Sequence, residues 1–283
     1  MQDSVKIWLE KAPYSGALGV QVDSLSDTSA RFTLPYKDEN SNPGKVLHGG
    51  VAASMICLGG QAVARLALGE EAAPWHTCAL QVNYLAAAID QAIVGEARLL
   101  RKGKELCHTE VRITSDQGKP IAEGIATVRG RFGKRETPGA VARGDDGGSD
   151  PGQMGPHLNM IPFIKRLGLT VEQMAGGQSR VCMPFQETNA DDGRSVHEGP
   201  ILALLDTAGA MAAWAVTGYG PYKASTVGIQ AQMLGSRITG DLTAYGRVVH
   251  RDNEIFWSDV EIATVTDGRI AARGTVLYRI IVP

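Results

Sequence analysis

The hydrophobic and polar positions of the chain follow the same order of elements twice. Each half begins with a short apolar segment that predicts a helix, continues with the alternation of a strand, and reaches a long apolar stretch after a polar loop. The paired segments are residues 5–11 and 159–167 for the short helix, 30–35 and 179–184 for the strand, and 49–68 and 199–216 for the long stretch. Three or four strands rich in Val, Ile and Thr follow in each half, separated by turn residues.

The two long apolar stretches predict helices that are buried inside the protein. Both are rich in Ala and Gly and are apolar on nearly every face, whereas a surface helix keeps a polar side. A buried helix followed by antiparallel strands is typical of the α+β class. We therefore expect each half to wrap a curved antiparallel sheet around one long helix.

The two halves align residue by residue, which indicates an internal duplication. A shift of 149 residues places residues 48–50 on residues 197–199, with His and the second Gly in common. The same shift places residues 98–113 on residues 247–262 with mostly conservative exchanges. One fold is therefore expected twice, as an intramolecular pseudo-dimer.

The segment between the copies is dense in Gly, Pro and charged residues and has no apolar periodicity, which is the composition of a linker. This predicts one domain at residues 1–131, a linker at residues 132–156 and a second domain at residues 157–283.

Composition and charge narrow the function classes. The 283 residues carry a formal net charge of −2, which argues against a nucleic-acid binder because such proteins need a basic surface. The four cysteines form no CxxC pair and no cluster with histidine, so we expect neither disulfides nor a metal site, and a cytoplasmic location. Gln61 and Arg65 interrupt the longest apolar stretch, so we expect no membrane span.

Gly49 and Gly50 stand where a loop becomes the first long helix. Glycines allow close approach to the backbone, and a helix N-terminus offers unpaired N–H donors and a partial positive charge. Such a site can hold an oxygen that becomes negative during acyl transfer. The same residues are also compatible with a plain tight turn before a buried helix.

Asp206 is the only charged side chain in the second long apolar stretch. A buried carboxylate is costly unless it is paired or hydrogen-bonded, and burial raises its pKa toward the range that suits a general base. The alternative is a structural carboxylate that a neighbouring backbone group or hydroxyl, such as Thr207, satisfies.

A distance argument joins these two features. Asp206 lies nine residues beyond His197, about 13 Å along its own helix, so it cannot act beside the helix start of its own half. Antiparallel packing of the long helices would instead place it beside Gly49 and Gly50 of the other half. The predicted composite site contains Asn42, His48, Gly49, Gly50 and Asp206.

The equivalent second site is expected to be degenerate. Its members are Cys57, Asp191, His197, Glu198 and Gly199. A cysteine replaces the carboxylate, and Glu198 places a negative charge where the first half has an open backbone. Cys57 and His197 could form a thiol nucleophile with its base, but a small buried cysteine is the commoner arrangement.

These residues resemble the hotdog-fold acyl-CoA thioesterases of the PaaI-like, phenylacetate-degradation branch, in tandem double-hotdog form. The Asn, His-Gly-Gly and Asp of that family's pattern are met in split form, with Asn42 and residues 48–50 in the first half and Asp206 in the second. The resemblance covers nearly all of the chain outside the linker.

The resemblance implies hydrolysis of an acyl-CoA thioester, with CoA only as part of the substrate and no other cofactor. Asp206 would act as general base or as nucleophile, and the N–H of Gly50, together with Gly49, would polarise the carbonyl. Asn42 and His48 would orient the carbonyl or the water.

Further contacts with the substrate are expected at Thr207 and at the basic residues Arg98, Lys102 and Lys104, which could meet the phosphates of CoA. A solvated hairpin is the alternative for the basic residues. We also expect two chains to associate as a homodimer.

Two other functions fit the same fold. A non-catalytic acyl-CoA binder or sensor would keep the fold without the chemistry, since a fold does not fix a function. An enoyl-CoA hydratase of the double-hotdog kind would need an Asp and a His a few residues apart in one loop, and no such pair precedes a helix in a matching context.

Overall fold

The computed structural model describes residues 1–131, 139–191, 194–235 and 237–282. The first part of the predicted linker, residues 132–138, lies outside the described residues. The first half contains α1 (Gln2–Lys11), α2 (Pro13–Leu18), β1 (Gln21–Leu25), β2 (Ser29–Leu34), β3 (Ser41–Asn42), β4 (Val46–Leu47), α3 (Gly49–Leu68), β5 (Trp75–Tyr84), β6 (Ile93–Lys102), β7 (Leu106–Ser115) and β8 (Pro120–Gly130).

The second half repeats this order with small differences. It contains α4 (Gly155–Leu158), α5 (Pro162–Leu167), β9 (Thr170–Ala175), β10 (Gln178–Met183), α6 (Glu198–Thr217), β11 (Lys223–Met233), β12 (Leu242–Arg251), β13 (Ile255–Thr264) and β14 (Ile270–Ile281). The predicted segments for the long helices and the first strands agree with α3, α6, β2 and β10 to within one residue at each end.

The short helix at the start of each half is divided in two. Pro13 and Pro162 each occupy the first turn of the second piece, where a missing N–H costs nothing. The predicted helix at residues 159–167 therefore shortens to α5, and α4 precedes it as a separate turn.

The twelve longer strands form one antiparallel sheet that both halves share. The strand order is β1-β2-β6-β7-β8-β5-β11-β14-β13-β12-β10-β9, so β5 and β11 join the halves at the centre. Gln81 pairs with Gln230 in this junction. On the inner side, α3 packs on β5–β8 and α6 packs on β10–β14. The predicted α+β class, with two long helices wrapped by antiparallel strands, is confirmed.

The two long helices contact each other through small residues. A Cβ on Gly50 would lie 2.7 Å from the Cβ of Ala203, and a Cβ on Gly199 would lie 2.7 Å from the Oγ of Ser54. These two contacts are related by the same shift of 149 residues, as a pseudo-twofold axis requires. Both helices are long and apolar enough to cross a membrane, but in this fold they are almost entirely buried by protein.

The described part of the predicted linker packs on the second half. Val141 forms a β-bridge with Arg269, and Arg143 pairs with Glu261 on β13. Asp145 pairs with Arg180 on β10 at 2.7 Å. This segment leads to α4, whose Leu158 lines the cavity described below. The domain boundaries themselves stay a prediction.

Candidate active site

His48 caps the N-terminus of α3, and its surroundings determine both the charge of its ring and the nitrogen that carries the proton. Its Nδ1 accepts a hydrogen bond from the N–H of Gly50 at 2.9 Å. Burial, with the Arg166 guanidinium as a smaller cause, lowers the pKa of His48 to about 4, so the ring is neutral at pH 7. A neutral ring that accepts at Nδ1 carries its proton on Nε2, which is therefore a donor.

The same hydrogen bond corrects the assignment of the donor to Gly50. The N–H of Gly50 is already bound by His48, and its Cα packs against Ala203. Gly49 is the first residue of α3, and within the described residues its N–H has no hydrogen-bond acceptor. The free donor at this helix start is therefore Gly49. The hydroxyl of Tyr84 donates to the carbonyl oxygen of Gly49 at 3.1 Å and holds the first turn in place.

Asp206 lies in the middle of α6 with its carboxylate directed at that helix start. A Cβ on Gly49 would lie 3.0 Å from Oδ2 of Asp206. The hydroxyl of Thr226 donates to Oδ1 at 2.6 Å, which leaves Oδ2 as the oxygen that faces Gly49. Within the described ranges no cation forms a salt bridge with this carboxylate. Burial raises the pKa of Asp206 to about 6, and the Thr226 hydroxyl opposes this rise.

One cavity of about 620 Å³ joins these groups. Asn42, His48 and Gly49 line it from the first half, and Asp206 and Thr207 line it from the second. The residues predicted for one composite site are thus brought together, except that Gly50 lies behind Gly49 in the helix contact.

Thr207 contributes to the cavity wall but not as a free hydroxyl. Its Oγ1 donates to the carbonyl oxygen of Ala203 at 2.8 Å, one turn back along α6. The hydroxyl that donates a hydrogen bond to the carboxylate of Asp206 therefore comes from Thr226 and not from Thr207.

The basic hairpin between β6 and β7 lies far from this cavity. Leu106, at its tip, pairs with Arg129 near the end of β8, where β5 begins. Tyr84, which reaches the site, lies at the other end of β5. The two ends of this strand are about 30 Å apart at about 3.3 Å per residue.

The prediction that Arg98, Lys102 and Lys104 meet the substrate at this site is therefore wrong. None of the three lines the cavity, and all are exposed. Arg98 forms an ion pair with Glu110 on the neighbouring strand β7. The alternative, a solvated hairpin, describes these residues.

The second site contains the predicted residues but almost no space. The carboxylate of Glu198 accepts the backbone N–H of Thr77 at 3.0 Å and the side-chain amide of Gln61 at 2.6 Å, and it pairs with His76 at 2.9 Å. These contacts, with His76 foremost, hold the pKa of Glu198 well below its usual range despite burial. The remaining cavity is about 50 Å³.

Cys57 is not a reactive thiol in this arrangement. Its Sγ lies 3.1 Å from Oε2 of Glu198, and burial together with that negative charge raises the pKa of the thiol well above its usual value. Nδ1 of His197 accepts the N–H of Gly199 at 2.9 Å, so His197 caps its helix as His48 does. The thiol–imidazole alternative is therefore not supported.

Bulky side chains fill the rest of the second site. The guanidinium of Arg65 lies 3.5 Å from the ring centre of Trp8 and 5.3 Å from that of Trp75. The indole N–H of Trp8 donates to Asp191 at 2.6 Å. Every member of the predicted degenerate site is thus tied into structural contacts.

Three residues that matter here were missed from the sequence. Thr226 orients Asp206, Tyr84 holds the first turn of α3, and His76 pairs with Glu198. The repeat register offers one signal in retrospect, because Thr226 is equivalent to Thr77, whose hydroxyl lies 3.6 Å from the thiol of Cys57.

Comparisons with known proteins find relatives of this chain in sequence. The family described as "Acyl-CoA thioesterase N-terminal domain" matches residues 37–129. A protein of Halobacterium salinarum, named as a candidate esterase, is 33% identical over 121 residues, which are 41% of this chain and 80% of that relative.

Solved structures extend the likeness over the whole chain. A protein of unknown function with a hotdog fold from Alicyclobacillus acidocaldarius has a TM-score of 0.67 at 18% identity, covering 97% of this chain and 98% of its own. A candidate thioesterase of Novosphingobium aromaticivorans has a TM-score of 0.69 at 14% identity, covering 91% and 97%. At these identities the likeness establishes the fold alone.

Proposed function

Because the chain belongs to the hotdog-fold thioesterase superfamily, we propose that it hydrolyses acyl-CoA thioesters at one composite site between its two halves. One observation carries the proposal: the carboxylate of Asp206 and the free N–H of Gly49 lie side by side in the lining of one large cavity, and the pKa of that carboxylate is raised. A base and an oxyanion donor are the two groups that thioester hydrolysis requires.

The N–H of Gly49 binds the thioester carbonyl oxygen. Negative charge develops on that oxygen when the carbon becomes tetrahedral, and the N-terminus of α3 supplies both a donor and the positive end of a helix dipole. Glycine is needed because a Cβ at this position would lie 3.0 Å from Oδ2 of Asp206 and would occupy the space of the reacting group.

Asp206 accepts a proton from the attacking water through Oδ2. The water oxygen bonds to the carbonyl carbon, the tetrahedral intermediate collapses with cleavage of the carbon–sulfur bond, and the proton passes to the CoA thiolate. The products are the free acid and CoA. With a pKa of about 6 the carboxylate is ionised at pH 7 and is still a stronger base than an ordinary aspartate.

His48 and Asn42 orient the reactants. The neutral ring of His48 offers its Nε2–H, and the side chain of Asn42 lines the same cavity. Neither group changes charge near pH 7, so their role is to position the carbonyl or the water.

The alternative role for Asp206, as a nucleophile that forms an anhydride, makes a different isotopic prediction. In a single turnover in ¹⁸O-labelled water, a general base places the heavy oxygen in the first molecule of product acid. A nucleophile whose anhydride is hydrolysed at the aspartyl carbonyl would transfer one of its own unlabelled oxygens in that first turnover. We expect the label in the first product, because Thr226 holds one carboxylate oxygen and leaves the other free to take a proton.

A hydrolysis screen tests the proposed function. Thiol release from short, medium, long and aromatic acyl-CoAs is followed for the wild type and for Asp206→Asn. We expect release by the wild type on at least one substrate class and its loss in the variant. Tight acyl-CoA binding by the wild type without any thiol release would contradict the proposal and favour the binder or sensor.

A further inference from the structure

The cavity has an exposed side and a buried side. Leu85, which follows Tyr84 at the helix start of α3, is 52% exposed. Met211 and Trp214, further along α6, line the same cavity and are only 5% and 4% exposed. A charged CoA moiety belongs on the exposed side, since charges are not buried without partners, and an apolar acyl group belongs on the buried side.

The buried side follows one face of α6. Asp206, Ala210 and Trp214 are spaced four residues apart and therefore lie along the same stripe of the helix. The single methyl group of Ala210 leaves the space beyond the carboxylate open, and the indole of Trp214 closes it. This stripe defines a chamber, which we call the α6 chamber, between Asp206 and Trp214.

Trp214 is held rigidly at the end of the α6 chamber. Its Nε1–H donates to the hydroxyl of Tyr278 at 3.2 Å. Its ring stacks on that of Tyr222 with centroids 6.0 Å apart and planes inclined by 12°. A side chain fixed by a hydrogen bond and a stacked ring acts as a wall and does not swing aside for a longer chain.

The second half of the chain has different side chains at the positions equivalent to 210 and 214. Gln61 and Arg65 stand at the positions equivalent to Ala210 and Trp214. There the long polar side chains fill the helix face, and the cavity measures about 50 Å³ instead of about 620 Å³. At the first of these positions Gln61 takes the space that the methyl group of Ala210 leaves open, so position 210 contributes to the difference between a chamber and a filled helix face.

The length of the α6 chamber points to a medium-chain acyl group. Eight helical residues separate Asp206 from Trp214, about 12 Å, and van der Waals contact of the last acyl carbon with the indole takes about 3.5 Å of this, which leaves about 9 Å. A carbon chain with single bonds of about 1.5 Å advances about 1.3 Å per atom, so about six to eight carbons fit. We propose that the acyl group lies in the α6 chamber and that Ala210 and Trp214 select its length. This proposal rests on the proposed function.

Two variants with opposite expected effects test the α6 chamber. Ala210→Leu shortens it, and we expect the ratio of kcat/KM for octanoyl-CoA over butyryl-CoA to fall about tenfold or more. Trp214→Ala opens its end, and we expect the ratio for dodecanoyl-CoA over octanoyl-CoA to rise about fivefold or more. Each ratio compares two substrates on the same protein, so a partly unfolded sample changes neither.

The outcomes separate this inference from the proposed function. If the wild type releases thiol from no acyl-CoA, the proposed function fails and the chamber fails with it. If the wild type hydrolyses acyl-CoAs but both ratios stay within about twofold in the variants, the α6 chamber is not the acyl site and only this inference is overturned.

Discussion

Oδ2 of Asp206 lies 3.0 Å from the position that a Cβ would take on Gly49, although the two residues belong to different halves of the chain. The long helices run antiparallel, so the middle of α6 meets the start of α3. In the proposed mechanism the acid and the oxyanion donor therefore come from different halves of the chain.

The two glycines at the start of α3 should respond differently to substitution. Gly49→Ala places a methyl group against Asp206 and the ring of Tyr84, so we expect kcat/KM to fall about 100-fold or more while the melting temperature changes little. Gly50→Ala drives a methyl group into Ala203 at 2.7 Å and should lower the melting temperature instead. Thiol release and thermal unfolding of both variants provide the comparison. Equal activity in wild type and Gly49→Ala would show that the space beside Gly49 is not the space of the reacting group.

The pH profile should report Asp206. A general base must be ionised, so kcat/KM should rise with pH through about 6 and level off above it. Thr226→Val removes the hydrogen bond that lowers the pKa of Asp206, so this limb should move to higher pH. Thr77→Val, the equivalent change in the second half, is the matched control and should leave the limb in place. A limb that does not move in Thr226→Val would contradict this assignment.

Asp206→Asn should make the protein more stable. The pKa of Asp206 is raised from 3.8 to about 6 in the folded state, so the folded protein binds this proton more tightly than the unfolded chain. Ionisation of Asp206 therefore destabilises the folded protein by about 3 kcal/mol at most. The full effect is present above about pH 6, and it is absent well below pH 4. We expect the variant to melt several degrees higher than the wild type at pH 7 and to lose this advantage at low pH. A lower melting temperature at pH 7 would identify Asp206 as a structural carboxylate.

Glu198→Gln should have the opposite effect to Asp206→Asn: we expect it to lower stability and to leave activity unchanged. The variant leaves His76 without its carboxylate partner and should destabilise the fold by about 3 kcal/mol or more at pH 7. The pKa of Glu198 is lowered in the folded state, so its contribution is present above its unfolded value of 4.5 and disappears as the pH falls below it. Urea unfolding at several pH values checks this, with thiol release at pH 7 as the control. Unchanged stability would show that the second site is not a structural element.

The repeat register predicted the main features of the fold and of the site. The shift of 149 residues implied a pseudo-twofold axis, and with it the meeting of Asp206 and Gly49, because helix length alone excluded a site within one half. The sequence also predicts that Glu198 is incompatible with an oxyanion, and in the structure Glu198 lines the small cavity that remains at the second site.

The remaining features depend on side-chain contacts that a single sequence does not reveal. Whether His48 takes the N–H of Gly50 is decided by the rotamer of one ring, and Thr226 is one of many threonines on strands. The basic hairpin was misplaced because charge near a glycine turn indicates exposure but not which end of the sheet it occupies.

The central claim, a single active site that uses the acid of one half only, is tested most directly at the two equivalent positions. Asp206→Asn and Cys57→Ala change the same place in the two copies, and thiol release is measured for both variants beside the wild type on the best acyl-CoA substrate. We predict that Asp206→Asn loses about 1000-fold or more in kcat while Cys57→Ala stays within about threefold of the wild type. Wild-type activity in Asp206→Asn, or its loss in Cys57→Ala, would contradict the account.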